Sequence, residues 1–486
     1  MNHYIFIPFF LIGCISSVRS QNGFDEVYYN PELHQSSKAI SIVQRDDGYG
    51  LIGTALWFPA SMNVDAQGAQ IDYQNFMEPL DTYIALNDPV ARCAGSVYIP
   101  FSRHDSLFLT KFDPYGNREW TLLQTTGDNV HAHKAQCIHN DQLMLIGGRD
   151  GHFMVLGASL DGALLWEQDH LGYVSGRDIV VEHSPGDGIF VCGEMDASTS
   201  SFIARLRSDG SLVWAGGFGG ASSEVVGIDL HDDMIVVAGG TFPAGQSLPR
   251  ESIVWRFDTA GIFLGGHVGY SAVHPSMSAF RDVTLDESGN ILACGIRPKF
   301  HPGDQGMLGY IAKFDGEGNV IWERGFQHFH DTVAEFQPEL RNIQVAADGG
   351  ILVCGHERRS NDGLTGYNGF SSEHAWFMKL DSLGCLVPNC DYLSSVSIQE
   401  FDPTVHLEVH PNPASEVVHV NWRGGRSRFS DDASMTILTM TGQEMYRSFF
   451  DGSSAVDVAV WPAGTYYLHI TDGDCWIGGE KLVVIK

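Results

Sequence analysis

"FDGEGNVIW", Phe314 to Trp322, is the end of one extended segment, a tight turn and the start of another, closed by a large aromatic. Lines of the same build stand at "KFDPYGNREW" (111–120), "SLDGALLW" (159–166) and "RSDGSLVW" (207–214). An Asp at the head of such a turn hydrogen-bonds the turn backbone, and the Gly supplies a positive φ that other residues avoid. Anchored on that glycine, the pattern recurs at Gly68, Gly116, Gly162, Gly210, Gly261, Gly318 and Gly384, at spacings of 46 to 66 residues. Seven copies of one turn make the chain a repeat protein before any local reading is attempted.

The residues around each turn complete the unit. An alternating strand precedes it, as in "GYIAKF", where Tyr310, Ala312 and Phe314 share one face and Ile311 and Lys313 the other. Upstream lies an apolar strand ending in glycine: Gly53, Gly147, Gly193, Gly239, Gly295 and Gly355 close such strands. Before that comes another, as in "GRDIVVEHSPGDG" and "AFRDVTLDESGN", joined to it by a hairpin turn. The second copy is the least regular, with "VARCAGSVYI" matching only loosely. Four short strands per unit are the content of a propeller blade, and seven units predict an all-β, seven-bladed β-propeller. A blade cannot bury both faces alone, so neighbours stack and the ring closes; a solenoid of the same units is the alternative fold.

Trp120, Trp166, Trp214 and Trp322 hold one place in their units and are expected to wedge between blades. The copies at Gly68, Gly261 and Gly384 lack the Trp, so the wedge is not obligatory. The turn resembles the tryptophan-docking repeat of pyrroloquinoline-quinone enzymes, a likeness that would imply a redox cofactor on the axis. Only the docking turn matches, and no cofactor is expected. It also differs from the Ser-x-Asp-x-Gly box of sialidases.

Composition narrows the function classes. With 43% hydrophobic and only 18% charged residues, and 55 Gly, the chain is expected to fold as loop-rich β structure rather than stay disordered. A formal charge of −30 repels phosphate backbones and anionic headgroups, which argues against nucleic acid or a membrane surface as partner. Residues 1–20 have the layout of a signal peptide, an apolar core from Tyr4 to Ile15 followed by small residues, with cleavage expected before Gln21. "LIGC", Leu11 to Cys14, resembles a bacterial lipobox and leaves lipidation of Cys14 as the alternative. No later segment reads as an integral membrane span.

The chain changes character after Asp391. Residues 21–391 form the propeller passenger, 392–405 read as a linker, and 406–486 as an independent all-β module broken by Pro-Gly and Asp-Gly turns. "HPNPA" (410–414), "TGQEMY" (441–446), "WPAGTYYLHI" (461–470) and the terminal "KLVVIK" fall in one order and spacing. This ending resembles the type A C-terminal sorting domain of type IX secretion cargo from Bacteroidota-like bacteria. The resemblance implies a small β-sandwich read by the export machinery, with Pro411, Asn412, Pro413, Gly442, Pro462, Gly464, Lys481 and Lys486 carrying the sorting signal. It also implies a passenger that is anchored to the cell surface or released. The repeats and "GCLVPNCD" resemble uncharacterised Bacteroidota surface propeller proteins.

Cysteine usage agrees with export. Cys192, Cys294 and Cys354 hold one place in three units and read as small buried residues; Cys385 and Cys390 are the expected disulfide, and Cys93, Cys137 and Cys475 have no assigned mate. Signals of chemistry are sparse. "HAH" (His131, His133) and "HFHD" (328–331) place pairs of imidazoles on one side of a strand without visible further ligands, so no metal is assigned. No phosphate loop, serine-nucleophile motif or zincin helix occurs, and no catalytic residue is named.

One positional signal remains. Insertions in the last three units fall between the glycine-ended strand and the alternating strand, so they emerge on one face of the ring. Arg297, Lys299, His301, Arg358, Arg359, Tyr367 and Phe370 form a basic and aromatic candidate patch there for an extracellular glycan or protein. The expected function is binding or scaffolding outside the cell, leaning away from an enzyme; the alternative is an enzyme that cleaves extracellular polysaccharide in the axial funnel.

Overall fold

The computed structural model describes residues 24–486 other than 29–36, 46, 56–57, 76–81, 84–89, 104, 114–116, 139–140, 183–187, 196–200, 219–222, 242–250, 271–277, 299–306, 328–337, 360–371, 387–405, 424–432, 440–443 and 473–474. Every described sheet is antiparallel where its strands pair in the ladder, and five of the seven propeller sheets have the same plan. Blade 4 shows it: Ser175–Val181, Ile189–Glu194, Ser201–Leu206 and Leu212–Phe218 pair in chain order from the axis outward. Blades 1, 3, 5 and 6 repeat that order, with inner strands Ser37–Arg45, His131–Ile138, Ser223–His231 and Ala279–Leu285. The expected seven-bladed ring is therefore observed.

Two blades depart from the plan. In blade 2 the inner position is divided between Thr82–Tyr83 and Ala91–Cys93, both paired with Ser96–Arg103. In blade 7 the chain supplies Glu339–Val345, Ile351–Arg359 and Ser372–Leu380, and the fourth strand is Phe24–Tyr28 from the other end of the propeller. The ring is thus closed by its N-terminal strand, a feature the repeat pattern does not announce.

The two faces of a blade pack against two different neighbours. Tyr310, Ala312 and Phe314 join Val236, Ala238 and Val254 of blade 5, whereas Ile311 joins Leu340, Val353 and Trp376 of blade 7. Alternation in the third strand therefore marks which seam a residue fills. Outer strands have only one protected face and one free edge, which is why Leu164, Val213, Val320 and Ile321 remain exposed.

The turn and its wedge work as expected. Asp315 Oδ1 accepts from the amides of Glu317 (3.0 Å) and Asn319 (2.8 Å), and Asp65, Asp258 and Asp381 repeat the arrangement. Each Trp rests on the turn glycine of the following blade. A Cβ on Gly162, Gly210, Gly261 or Gly384 would lie 2.5–2.9 Å from the ring of Trp120, Trp166, Trp214 or Trp322 respectively. Phe24 occupies the same register position in blade 7, opposite Lys379 as Trp322 is opposite Lys313, and it covers Gly68 of blade 1. The unit at Gly384 lacks a Trp because its outer strand, wedge included, arrives from the N-terminus.

A further rule explains the glycine that ends the second strand. Six inner strands carry one extra residue in the ladder: Ile40, His133, Arg177, Val226, Arg281 and Arg341. The bulge pushes a carbonyl oxygen against the facing strand. A Cβ on Gly53, Gly147, Gly193, Gly239, Gly295 or Gly355 would meet that oxygen at 1.7–2.1 Å. Only glycine fits there.

After the ring, His406–His410, Val417–Arg423 and Ser453–Asp457 form one sheet, and Ala433–Thr439, Glu444–Phe449, Gly464–Asp472 and Cys475–Val484 another. Val418, Val420, Met435, Ile437, Phe450, Leu468 and Leu482 fill the space between them, making a small β-sandwich with its own core.

Candidate functional site

The bulged residues bring charge to the mouth of the axis, at the end where inner strands begin. Arg281 donates from Nε to Glu339 Oε1 at 2.6 Å, and Arg341 donates from Nη2 to Glu339 Oε2 at 2.5 Å. Arg281 also faces Glu224 of blade 5 at 3.9 Å. His356 lies 3.9 Å from Glu339 and 4.0 Å from Glu373, which pairs with Lys38 of blade 1 at 3.1 Å. On the other side Arg177 pairs with Glu194 and donates from Nη1 to His133 at 3.1 Å. Ion pairs at the mouth therefore join blade 5 to 6, blade 6 to 7 and blade 7 to 1.

Burial by itself would raise the Glu339 pKa, but Arg341 and Arg281 outweigh it and hold the carboxyl well below the usual range. Burial pushes His356 down to about 3, with Lys38 adding to it. Burial and then Arg177 likewise drive His133 well below its ordinary value. Glu339 is thus a fixed anion and the two imidazoles are neutral, which suits charge placement better than proton transfer.

Other buried carboxylates are held by backbone. Asp178 Oδ2 accepts from the Ile228 amide of blade 5 at 2.9 Å, and Asp282 Oδ2 from the Ile343 amide of blade 7 at 2.9 Å. Asn342 Oδ1 takes the Ile42 amide of blade 1 at 3.3 Å, and Asp229 Oδ2 the Leu285 amide of blade 6 at 2.8 Å. These groups stitch inner strands together across seams.

The mouth carries a signal the sequence reading passed over. Arg177-Asp178, Arg281-Asp282 and Arg341-Asn342 are one dipeptide repeated at one place in blades 4, 6 and 7, the first residue bulged and the second stitched. His131 and His133 do lie together, ring centroids 4.8 Å apart, but Arg177 sits on His133. Among the described residues no group of three or more His, Cys, Asp or Glu is placed to hold a metal. The "HFHD" segment lies outside the described residues.

Of the candidate patch, Arg297 is on the second strand of blade 6, 3.2 Å from Glu323 and 4.8 Å over the Tyr310 ring. It is engaged within its own blade. Arg358 and Arg359 end the second strand of blade 7, and Lys299, His301, Tyr367 and Phe370 lie outside the described residues. Cys93 and Cys137, unassigned from sequence, form a disulfide between blades 2 and 3 with Cα atoms 5.5 Å apart. Cys385 is disulfide-bonded, and Cys390 lies outside the described residues. Cys192, Cys294 and Cys354 are buried thiols, as expected.

In the sandwich, two of the positions expected to carry the sorting signal, Asn412 and Lys481, meet in a clasp. Asn412 donates from Nδ2 to the Lys481 carbonyl at 2.6 Å and accepts the Val483 amide at 2.9 Å. Pro411 and Pro413, both exposed, flank it in the chain, and the Pro462 carbonyl accepts the Tyr466 hydroxyl at 2.7 Å. Lys486 Nζ reaches the Ala459 carbonyl, Gly464 begins a strand of the second sheet, and Gly442 lies outside the described residues. No helix of the described residues is long and apolar enough to cross a membrane.

Fold and ending together define a β-propeller carrying a C-terminal sorting module. Residues 408–485 match the family described as "Secretion system C-terminal sorting domain", so the chain is cargo of type IX secretion, exported to the cell surface or extracellular space. No curated protein matches the chain. Similar solved structures include a protein of unknown function from Bacteroides caccae (11% identity, TM-score 0.37, 60% of this chain and 94% of that one). The Neurospora crassa Pan2 WD40 domain (10%, 0.44, 72% and 91%) and a protein from Lactobacillus plantarum (12%, 0.42, 70% and 94%) are two others.

Proposed function

We propose that the chain is an extracellular binding or scaffold module, a rigid ring carried out of the cell by its sorting domain and presenting the face around the axial mouth. The observation that supports this reading is the state of Glu339. The buried Glu339 carboxylate is clamped between Arg281 and Arg341, and Asp178 and Asp282 accept backbone amides of neighbouring blades. Glycoside cleavage needs two carboxyl groups flanking a bond, one of them protonated. Here Glu339, Asp178 and Asp282 are committed to joining blades.

Glycan arrays probed with the secreted passenger, with and without the insertions at 242–250, 299–306 and 360–371, test the reading. Retained binding to a glycan that depends on those insertions is the expected result. Release of reducing sugar from an extracellular polysaccharide would overturn it in favour of an enzyme.

A further inference from the structure

Among the described residues each outer strand pairs on one side only, and an open strand edge is a template for another strand. Charge on the strand is the usual guard, since pairing would desolvate it or set it against like charge. Blade 1 carries Asp72 there, blade 2 Arg118 and Glu119, and blade 3 Glu167 and Asp169. Blade 6 carries Glu323 and Arg324, and blade 7 Asp25 and Glu26. In blade 5 the outer strand, Phe263–Tyr270, reads FLGGHVGY and has no Asp, Glu, Lys or Arg.

The seam explains why this strand differs. Gly265 stands opposite Arg256 as Trp322 stands opposite Lys313, so a glycine holds the wedge place. Arg256 crosses the seam instead and donates to the Gly316 carbonyl of blade 6. Relieved of wedging, the strand and the residue before it show apolar side chains to solvent: Ile262, Phe263, Leu264 and Val268 are 47% to 62% exposed. The outer strand of blade 4, Leu212–Phe218, is uncharged too, but its Trp214 lies on Gly261 and Val213 is its one exposed large apolar residue.

The blade 5 strand is complementary to itself. Laid antiparallel against a second copy with the two-fold axis at Gly266, Leu264 of each chain faces Val268 of the other, and Phe263 faces Gly269. Leucine thus meets valine on one face, and on the other each aromatic ring lies over a glycine. Such a contact is isologous and closes at two chains. One strand per chain buries less than the roughly 1,200 Å² of stable complexes, so the association is weak. The formal charge of −30 on each chain opposes it, and salt screens that repulsion.

We infer that two copies of this chain join edge to edge through Phe263–Tyr270, the four strands of blade 5 in each continuing into those of the other. The strand's own pattern selects the occupant. An acidic chain can meet itself only where the edge is free of charge, and this edge also supplies the side chain that each of its large residues needs opposite.

Sedimentation of the full secreted chain and cross-linking of cysteine variants test this. A monomer–dimer equilibrium is expected, with dimer appearing at roughly 10–100 μM and gaining at about 0.5 M over about 50 mM salt. Leu264→Cys and Val268→Cys chains, mixed under mild oxidation, cross-link to each other while neither links to itself, because the register sets 264 opposite 268. Val268→Lys, or Leu264→Lys where the first does not fold, abolishes the dimer; Ile321→Lys, at a similarly exposed site on blade 6, leaves it intact. A parent chain monomeric at about 100 μM in both salts overturns the inference. So does a dimer that survives the lysine on blade 5, or single cysteine variants that link to themselves as readily as the mixture links.

Discussion

Trp322 of blade 6 lies against Gly384 of blade 7 so closely that a Cβ on the glycine would sit 2.6 Å from the indole, and Gly384 holds φ at +76°. Turn and wedge are therefore one device shared between two blades. The Asp-headed turn sets the glycine, and the glycine makes room for the ring that arrives from the preceding unit.

Trp322→Ala empties part of that seam and is expected to lower stability by about 2–3 kcal/mol, the usual cost of removing a large, partly buried aromatic. Thermal unfolding followed by circular dichroism gives the number; a melting temperature equal to that of the parent would show that the ring carries no packing load.

Gly295→Ala drives a methyl to about 2.0 Å from the Ala279 carbonyl. Because the oxygen belongs to a bulged inner strand, neither side can yield cheaply, and a loss of more than about 3 kcal/mol or failure to accumulate is expected. Gly216→Ala is the matched control, since nothing lies within 4 Å of its Cβ. Similar yields of the two variants would refute the bulge explanation of the strand-ending glycines.

Removing residues 24–28 leaves blade 7 with three strands. Trp376, fully buried and donating from Nε1 to Asp25 at 2.6 Å, then loses its cover. A red shift of tryptophan emission and proteolytic sensitivity of blade 7 are expected; an unchanged spectrum would mean that the ring closes without its N-terminal strand.

Acid should loosen the mouth in two stages. The folded pKa of His356 lies below its unfolded value of about 6.5, so its contribution is complete above that pH and is lost as pH falls towards 3. Glu339 is depressed as well, and its contribution is lost only below about 4.3, the unfolded carboxyl value. Urea midpoints are therefore flat above neutrality and fall below about pH 6.5. In His356→Asn the decline below pH 6.5 is shallower, what remains coming from His133, whose pKa is likewise depressed, while Glu339→Gln costs about 3–5 kcal/mol at pH 7 by stranding Arg281 and Arg341. Identical pH profiles for His356→Asn and parent would contradict the assignment.

Deleting residues 406–486 should leave the passenger in the periplasm, because the sandwich at 408–485 is the part that matches the sorting family. Cell fractionation decides it, and appearance of the truncated passenger in the medium would detach export from the sandwich. Asn412→Ala, which opens the clasp onto Lys481 and Val483, is expected to reduce export in the same assay.

Much of this protein was legible because its information is local. An Asp-headed turn needs a glycine at positive φ, and a strand buried on both faces reads as an apolar run, so the seven turns counted the blades and six apolar strands set their order. The strand-ending glycines were equally visible, but their cause was not, since it is a carbonyl on a different strand. The Arg-Asp and Arg-Asn pairs of blades 4, 6 and 7 stood in plain sight too; only the bulge shows that the first member points its charge at the axis and the second joins a neighbour.

By itself the sequence determined the unit, its number and the sorting module at its end, because turn chemistry and alternation act over a few residues. Only the tertiary structure decided how the ring closes, which cysteines join blades 2 and 3, and how each seam is held. Those outcomes depend on groups far apart in the chain, Phe24 beside Lys379 and Asn342 beside Ile42, brought together by closure of the ring. "FDGEGNVIW" names a blade; what distinguishes one seam from the next is who stands across from it.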